Sequence, residues 1–171
     1  MIDNKPKKAF TLVEVLIVVS ILGILAAIVL PSLQGGIQEA RNAVAKDMLK
    51  TMRHQIELYK YEHGGTQPGY KGGSLITVEA DLIKQFTNCT KKDGSISPFT
   101  SPSGDYIYGP YLPKMNANPF NGKSSVLILD DSTEFSAAAD GTSSGWLYKP
   151  SKGKIRLNST EKDRSGINVF E

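Results

Sequence analysis

The sequence predicts an α+β protein: a long N-terminal helix, membrane-spanning in its first half, packed by its second half against a small C-terminal antiparallel sheet. Three observations predict this. An apolar run from Val15 to Leu33 is broken only by Ser20, Pro31 and Ser32, with Gly23 inside it. An amphipathic helical pattern follows it directly and reaches Tyr59. Strand-forming segments appear only from Ser125 onward.

Val15–Leu33 is 19 residues, which as a helix spans about 28 Å, close to a hydrocarbon core of about 30 Å. The apolar stretch of a cleaved signal peptide is only about 7–15 residues, so this run reads as a retained single-pass helix. Lys5, Lys7 and Lys8 precede it and keep the N-terminus on the cytoplasmic side. Glu14 stands at its mouth. An ionised group in a membrane costs about 2.5–3.5 kcal/mol at the helix centre, less near the edge, and is a functional candidate by default. The plain alternative keeps Glu14 among headgroups beside Lys7 and Lys8.

Lys8-Ala9-Phe10-Thr11-Leu12-Val13-Glu14 followed by a long apolar helix resembles the leader of type IV prepilins and type II secretion pseudopilins, most of all the major pseudopilin. The small residue before the cut is usually Gly in that pattern; here it is Ala9. The resemblance implies that a prepilin peptidase cuts between Ala9 and Phe10, that the new amino group of Phe10 is methylated, and that the apolar helix is kept. It divides the chain into a cytoplasmic leader (1–9), a transmembrane and assembly helix (10–33), an amphipathic half of the same helix (34–63) and a periplasmic α+β domain (64–171).

In that setting Glu14 has a role. Cleavage creates an α-amino group on Phe10, and two opposite charges 4 Å apart attract by about 4 kcal/mol at an effective dielectric of 20. An incoming subunit can match its Glu14 with the Phe10 ammonium of a neighbour. A wrong axial register leaves both charges unpaired in an apolar bundle, so the pair selects register. An intrachain Glu14–Phe10 contact, i to i+4, is the other possibility. Pro31 removes a backbone hydrogen bond; it either kinks the helix or, with Gly23, lets the segment between them unwind in a filament.

Beyond Gln34-Gly35-Gly36, Ile37, Ala40, Val44, Met48, Met52, Ile56 and Tyr59 recur at spacings of three and four, with Leu49 flanking. Gly64-Gly65 stops the helix. His54 and His63 fall on opposite helix faces and cannot share a metal. Tyr61–Ser74 reads as a glycine-rich loop. Thr77 is the expected cap of a short helix over Val78–Phe86, with Leu82, Ile83 and Phe86 inward. Ser125–Leu129 is a strand; Trp146–Tyr148 and Lys154–Leu157 flank Pro150–Gly153 as a hairpin. Tyr108–Lys114, Asn118–Lys123 and the Gly145–Tyr148 strand extend the resemblance to major pseudopilins.

Lys+Arg 20 against Asp+Glu 17 is a net +3. Without Lys5, Lys7, Lys8 and Asp3 it becomes 17 against 16, which leaves no electrostatic basis for nucleic-acid binding. Cys89 is the only cysteine, so the disulfide that closes many adhesive pilins is impossible, which favours the secretion branch. The resemblance also raises calcium in a loop beside the sheet, where Asp130, Asp131, Glu134 and Asp140 sit; a solvated acidic loop is the default and no metal ligand is assigned. Gly141-Thr142-Ser143-Ser144-Gly145 matches G-x-S-x-G, but a strand follows it and both histidines lie upstream, so no catalytic residue is assigned.

The resemblance therefore implies a non-enzymatic filament subunit in the inner membrane, its domain in the periplasm. Its partners are other copies of itself, the prepilin peptidase, minor pseudopilins, the inner-membrane assembly platform and, before assembly, the bilayer. The alternatives are a type IV pilin for adhesion, motility or DNA uptake, and a monomeric membrane-anchored periplasmic binding domain.

Overall fold

The computed structural model describes residues 10–160, without the side chains of residues 31–35. It divides into two compact units, Met1–Ala40 and Arg41–Glu171. Helix α1, Leu12–Glu62, contributes to both. In the first unit α1 is the only element among the described residues, and the whole stretch Leu12–Leu30 is unburied. Ser20 satisfies its hydroxyl within the helix, donating to the Leu16 carbonyl at 2.7 Å, so the run presents side-chain carbon with no free hydroxyl. The helix continues through Gly23 and Pro31. The Pro31 side chain, and the kink expected there, lie outside what the structure describes.

In the second unit α1 turns one face inward: Ala45, Leu49, Met52, Ile56 and Tyr59 are buried. The expected stripe holds from Met52 onward and is rotated before it. Val44 is 47% exposed and Ile37, in the first unit, 55%, while Ala45 and Leu49 take the buried positions. One residue is about 100° of helix rotation, and an apolar stripe that broad leaves the packed edge undetermined. Gly64 and Gly65, at φ 65° and 94°, end the helix as expected; the Gly65 amide donates back to the Lys60 carbonyl at 2.8 Å.

The glycine-rich segment after α1 contains a small hairpin, β1 (Tyr70–Lys71) and β2 (Ser74–Leu75), paired antiparallel. Its two-residue turn is Gly72-Gly73, both at positive φ, the conformation that matches strand twist. Helix α2 covers Glu79–Thr87, with Val78 rather than Thr77 at its N-cap and no side-chain cap. Leu82 and Phe86 are buried as expected. Gln85 is buried with them: it accepts from the Gly69 amide at 2.6 Å and donates to the Tyr70 and Gly94 carbonyls at 2.8 Å each. Cys89 is fully buried, its thiol 3.6 Å from the Gly109 carbonyl oxygen.

Strands β3 (Val126–Ile128), β4 (Trp146–Lys149) and β5 (Lys154–Leu157) form one sheet in the order β3-β4-β5. The β4–β5 hairpin is antiparallel as expected, but β3 lies parallel to β4, Val126 opposite Trp146, so the sheet is mixed rather than purely antiparallel. A parallel neighbour requires a crossover, supplied by 129–145 with the short helix α3 (Phe135–Ala138). Trp146, Tyr148, Ile155 and Leu157 face the α1–α2 core. Leu147, Lys149 and Arg156 are buried too, and the Lys149 ammonium lies 5.1 Å from the centre of the Phe135 ring in the crossover.

Candidate functional site

Phe10 and Glu14 are the site residues of the N-terminus that the structure describes. Ala9, Lys5, Lys7 and Lys8 lie outside the described residues. Phe10 is 87% exposed, ahead of the first helical residue, Leu12. Thr11 is the helix cap. Its hydroxyl oxygen accepts from the Glu14 amide at 3.2 Å, and its carbonyl accepts from the Val15 amide at 3.3 Å. Glu14 reaches back: Oε2 accepts from the Thr11 amide and the Thr11 hydroxyl, both at 2.8 Å. This is a capping box, two end amides satisfied reciprocally, with the carboxylate at the positive end of the helix dipole. All of its described hydrogen bonds fall on Oε2. The intrachain partner of Glu14 is therefore Thr11, and no Glu14–Phe10 hydrogen bond exists among the described residues. The signal was the Thr-x-x-Glu spacing before an apolar run.

Glu14 is the only charged residue between Leu12 and Leu30. By length and composition this stretch of 19 residues can cross a membrane, and no part of it is covered by the protein itself. A bilayer or other copies of the helix are the two environments that remove such a surface from water.

Elsewhere the candidates are structural. His54 is exposed, whereas His63 is 3% exposed and stacks on Tyr59 with ring centres 3.7 Å apart. Its Nδ1–H donates to the Tyr59 carbonyl at 2.8 Å, which leaves Nε2 to accept from the Thr90 hydroxyl at 3.0 Å. Burial lowers its pKa, although Glu62 and Asp93 pull the other way. Tyr111 donates to Glu62 at 2.6 Å, and burial pushes the Tyr111 hydroxyl far above its ordinary pKa. This cluster closes the end of α1 and has no open face for a substrate.

The acidic loop is engaged in its own turns. Asp130 Oδ1 accepts from the Ser132 hydroxyl and the Thr133 amide and hydroxyl. Asp131 accepts from Ser151 and lies 3.9 Å from the Lys152 ammonium. Asp140 accepts from the Thr142 and Ser143 amides, which hold its pKa well below the usual carboxylate range. Among the described residues no three His, Cys, Asp or Glu side chains converge as a metal site. The groups around these carboxylates are N–H and O–H donors rather than further carboxylates. Ser143, the centre of the G-x-S-x-G match, donates to Asp140 at 3.0 Å and has no histidine partner there.

Residues 4–30 match the family model described as the prokaryotic N-terminal methylation motif. The chain is similar to the type II secretion system core protein G of Pseudomonas aeruginosa, 36% identical over 70 residues, 39% of this chain and 49% of that protein. It is 27% identical to core protein G of Escherichia coli over 103 residues, 59% of this chain and 70% of that one. It is 33% identical to that of Dickeya chrysanthemi over 74 residues, 43% and 48%. The chain thus spans about half the length of the Pseudomonas and Dickeya relatives it matches. No solved structure matches it significantly. With the methylation motif, an uncovered apolar stretch at the start of α1 and an α+β domain, the chain is similar to core protein G of type II secretion systems.

Proposed function

We propose that this chain is a major-type pseudopilin, the structural subunit of a periplasmic filament that drives export of folded proteins through a type II secretion system. The observation that carries the reading is a single carboxylate, Glu14, on the first turn of an apolar helical stretch, Leu12–Leu30, no part of which the protein covers, inside a methylation-motif match. The precursor sits in the inner membrane with its N-terminus in the cytoplasm and its domain in the periplasm. Prepilin peptidase cuts after Ala9 and methylates Phe10. Extraction from the bilayer then exchanges lipid for neighbouring helices, and Glu14 pairs with the Phe10 ammonium of the next copy. The minor pseudopilins and the inner-membrane platform are the partners this reading requires.

The capping box supports the mechanism. It holds Oε2 on the chain's own Thr11 and leaves Oε1 for a second donor, so one carboxylate can serve both the helix end and a neighbour. The pair favours correct axial alignment, because a shifted helix buries two unpaired charges. The intact mass of the chain extracted from membranes tests the processing: loss of Met1–Ala9 plus one methyl group is expected, and a full-length mass refutes it.

A further inference from the structure

We propose that three asparagine side chains, Asn118, Asn121 and Asn158, brace the Asp140–Gly145 loop, beside the sheet where the family resemblance raises calcium, so this loop holds its shape without the ion. The inference concerns the folded domain and stands whether or not the chain polymerises.

Asp140 Oδ1 and the Gly141, Ser144 and Gly145 carbonyls, oxygens that a cation could use, accept from amide N–H groups instead. Asn158 follows β5 directly and is fully buried. Its Oδ1 accepts from the Asp140 and Gly141 amides at 3.0 and 2.8 Å. Its Nδ2 donates to Asp140 Oδ1 at 2.7 Å and lies 3.2 and 3.3 Å from the Ser143 and Ser144 hydroxyls. Asp140 Oδ1 thereby receives an amide from Asn158, two backbone amides and the Ser143 hydroxyl. A carboxylate oxygen has about two lone pairs, so this atom is saturated. The loop carbonyls are taken as well. Asn121 Nδ2 donates to Gly141 and Ser144 at 3.0 and 2.8 Å, and buried Asn118 donates to Gly145 and to the Asn158 carbonyl, both at 2.9 Å.

The chemistry explains why such an arrangement excludes the ion. Ca²⁺ takes about 6–8 oxygen ligands at about 2.3–2.6 Å. Each primary amide here presents its two N–H donors to the oxygens that would have to turn toward a metal. A neutral amide also leaves the single negative charge of Asp140 balanced by dipoles alone, where a cation site gathers several carboxylates. The three side chains reach the loop from before β3 and after β5, so they join the loop to both ends of the sheet, as a bound ion would.

Full-length chain in detergent, melted with Trp146 fluorescence as the probe, tests this. Trp146 adjoins the loop and is buried. The expected midpoints in excess EDTA and in calcium on the order of millimolar agree within about 1 °C. Asn158→Ala is expected to melt about 5 °C or more lower, with no recovery on adding calcium. Should Asn158→Ala not fold, half-buried Asn121→Ala is measured in the same way. A calcium-specific rise of more than about 3 °C in the unaltered chain, absent with magnesium, overturns the proposal. So does an asparagine variant that melts like the parent in EDTA.

Discussion

Replacing Glu14 by Gln and by Ala separates the capping contact seen in the structure from the charge pairing proposed for the same side chain. Gln serves as well as Glu at the third position of a capping box, so Glu14→Gln keeps the bond to the Thr11 amide and removes only the charge. Glu14→Ala removes both. The cap contributes about 1 kcal/mol, a factor of about five in any equilibrium that needs the helix end formed. A Glu14–Phe10 ion pair between copies at 4 Å contributes about 4 kcal/mol at an effective dielectric of 20, or about a thousandfold in subunit addition. The charge dominates. Both variants are therefore expected to be cleaved and to stay in the membrane, while the fraction of chain in sedimentable filaments falls by about two to three orders of magnitude in each. Ala should be no more than about fivefold worse than Gln. If Glu14→Gln assembles within about fivefold of the parent, Glu14 is a capping residue and the charge-pairing account is wrong.

Protonation of buried His63 is expected to weaken the domain in acid. Its folded pKa lies below the ordinary value, so the unfolded chain binds the extra proton, and stability present above about pH 6.5 is lost as pH falls through the folded value. A melting midpoint that declines between about pH 6.5 and 5, ahead of the carboxylates, is expected, and one that stays flat to pH 5 refutes it. At Gly94, φ is +82° and an added Cβ overlaps the Tyr70 carbonyl oxygen; Gly94→Ala should cost well over 1 kcal/mol, more than Gly73→Ala, whose Cβ meets nothing. Equal midpoints for the two variants would count against the close packing of the glycine-rich segment on Gln85. Met52→Ala, at a fully buried position, should destabilise by about 2–5 kcal/mol. Val44→Ala should leave the monomer's midpoint within about 0.5 kcal/mol, and denaturant titration checks both.

The features legible in sequence are those a local pattern dictates. The apolar run, the Gly64-Gly65 stop, the α2 core pair Leu82 and Phe86, and the β4–β5 hairpin all follow from periodicity or turn chemistry within a dozen residues. The parallel pairing of β3 with β4 does not, because strand direction depends on where the crossover 129–145 returns. The burial of Ala45 in place of Val44 has a similar origin: a broad stripe does not say which edge the domain covers. Two omissions were recoverable. Gly72-Gly73 between two short polar–apolar pairs is a hairpin signal, and Thr11-x-x-Glu14 is a capping signal that the membrane cost of the acid overshadowed. The asparagine brace was beyond reach, since Asn118 and Asn158 meet only once the sheet has formed.

Buried Cys89 bears on the fibre proposed for this chain. Disulfide exchange needs a thiolate that can touch its target, and here desolvation raises the thiol pKa while the fold covers the sulfur completely. Copies stacked side by side in an oxidising compartment would therefore stay chemically separate, joined by contacts that can be undone.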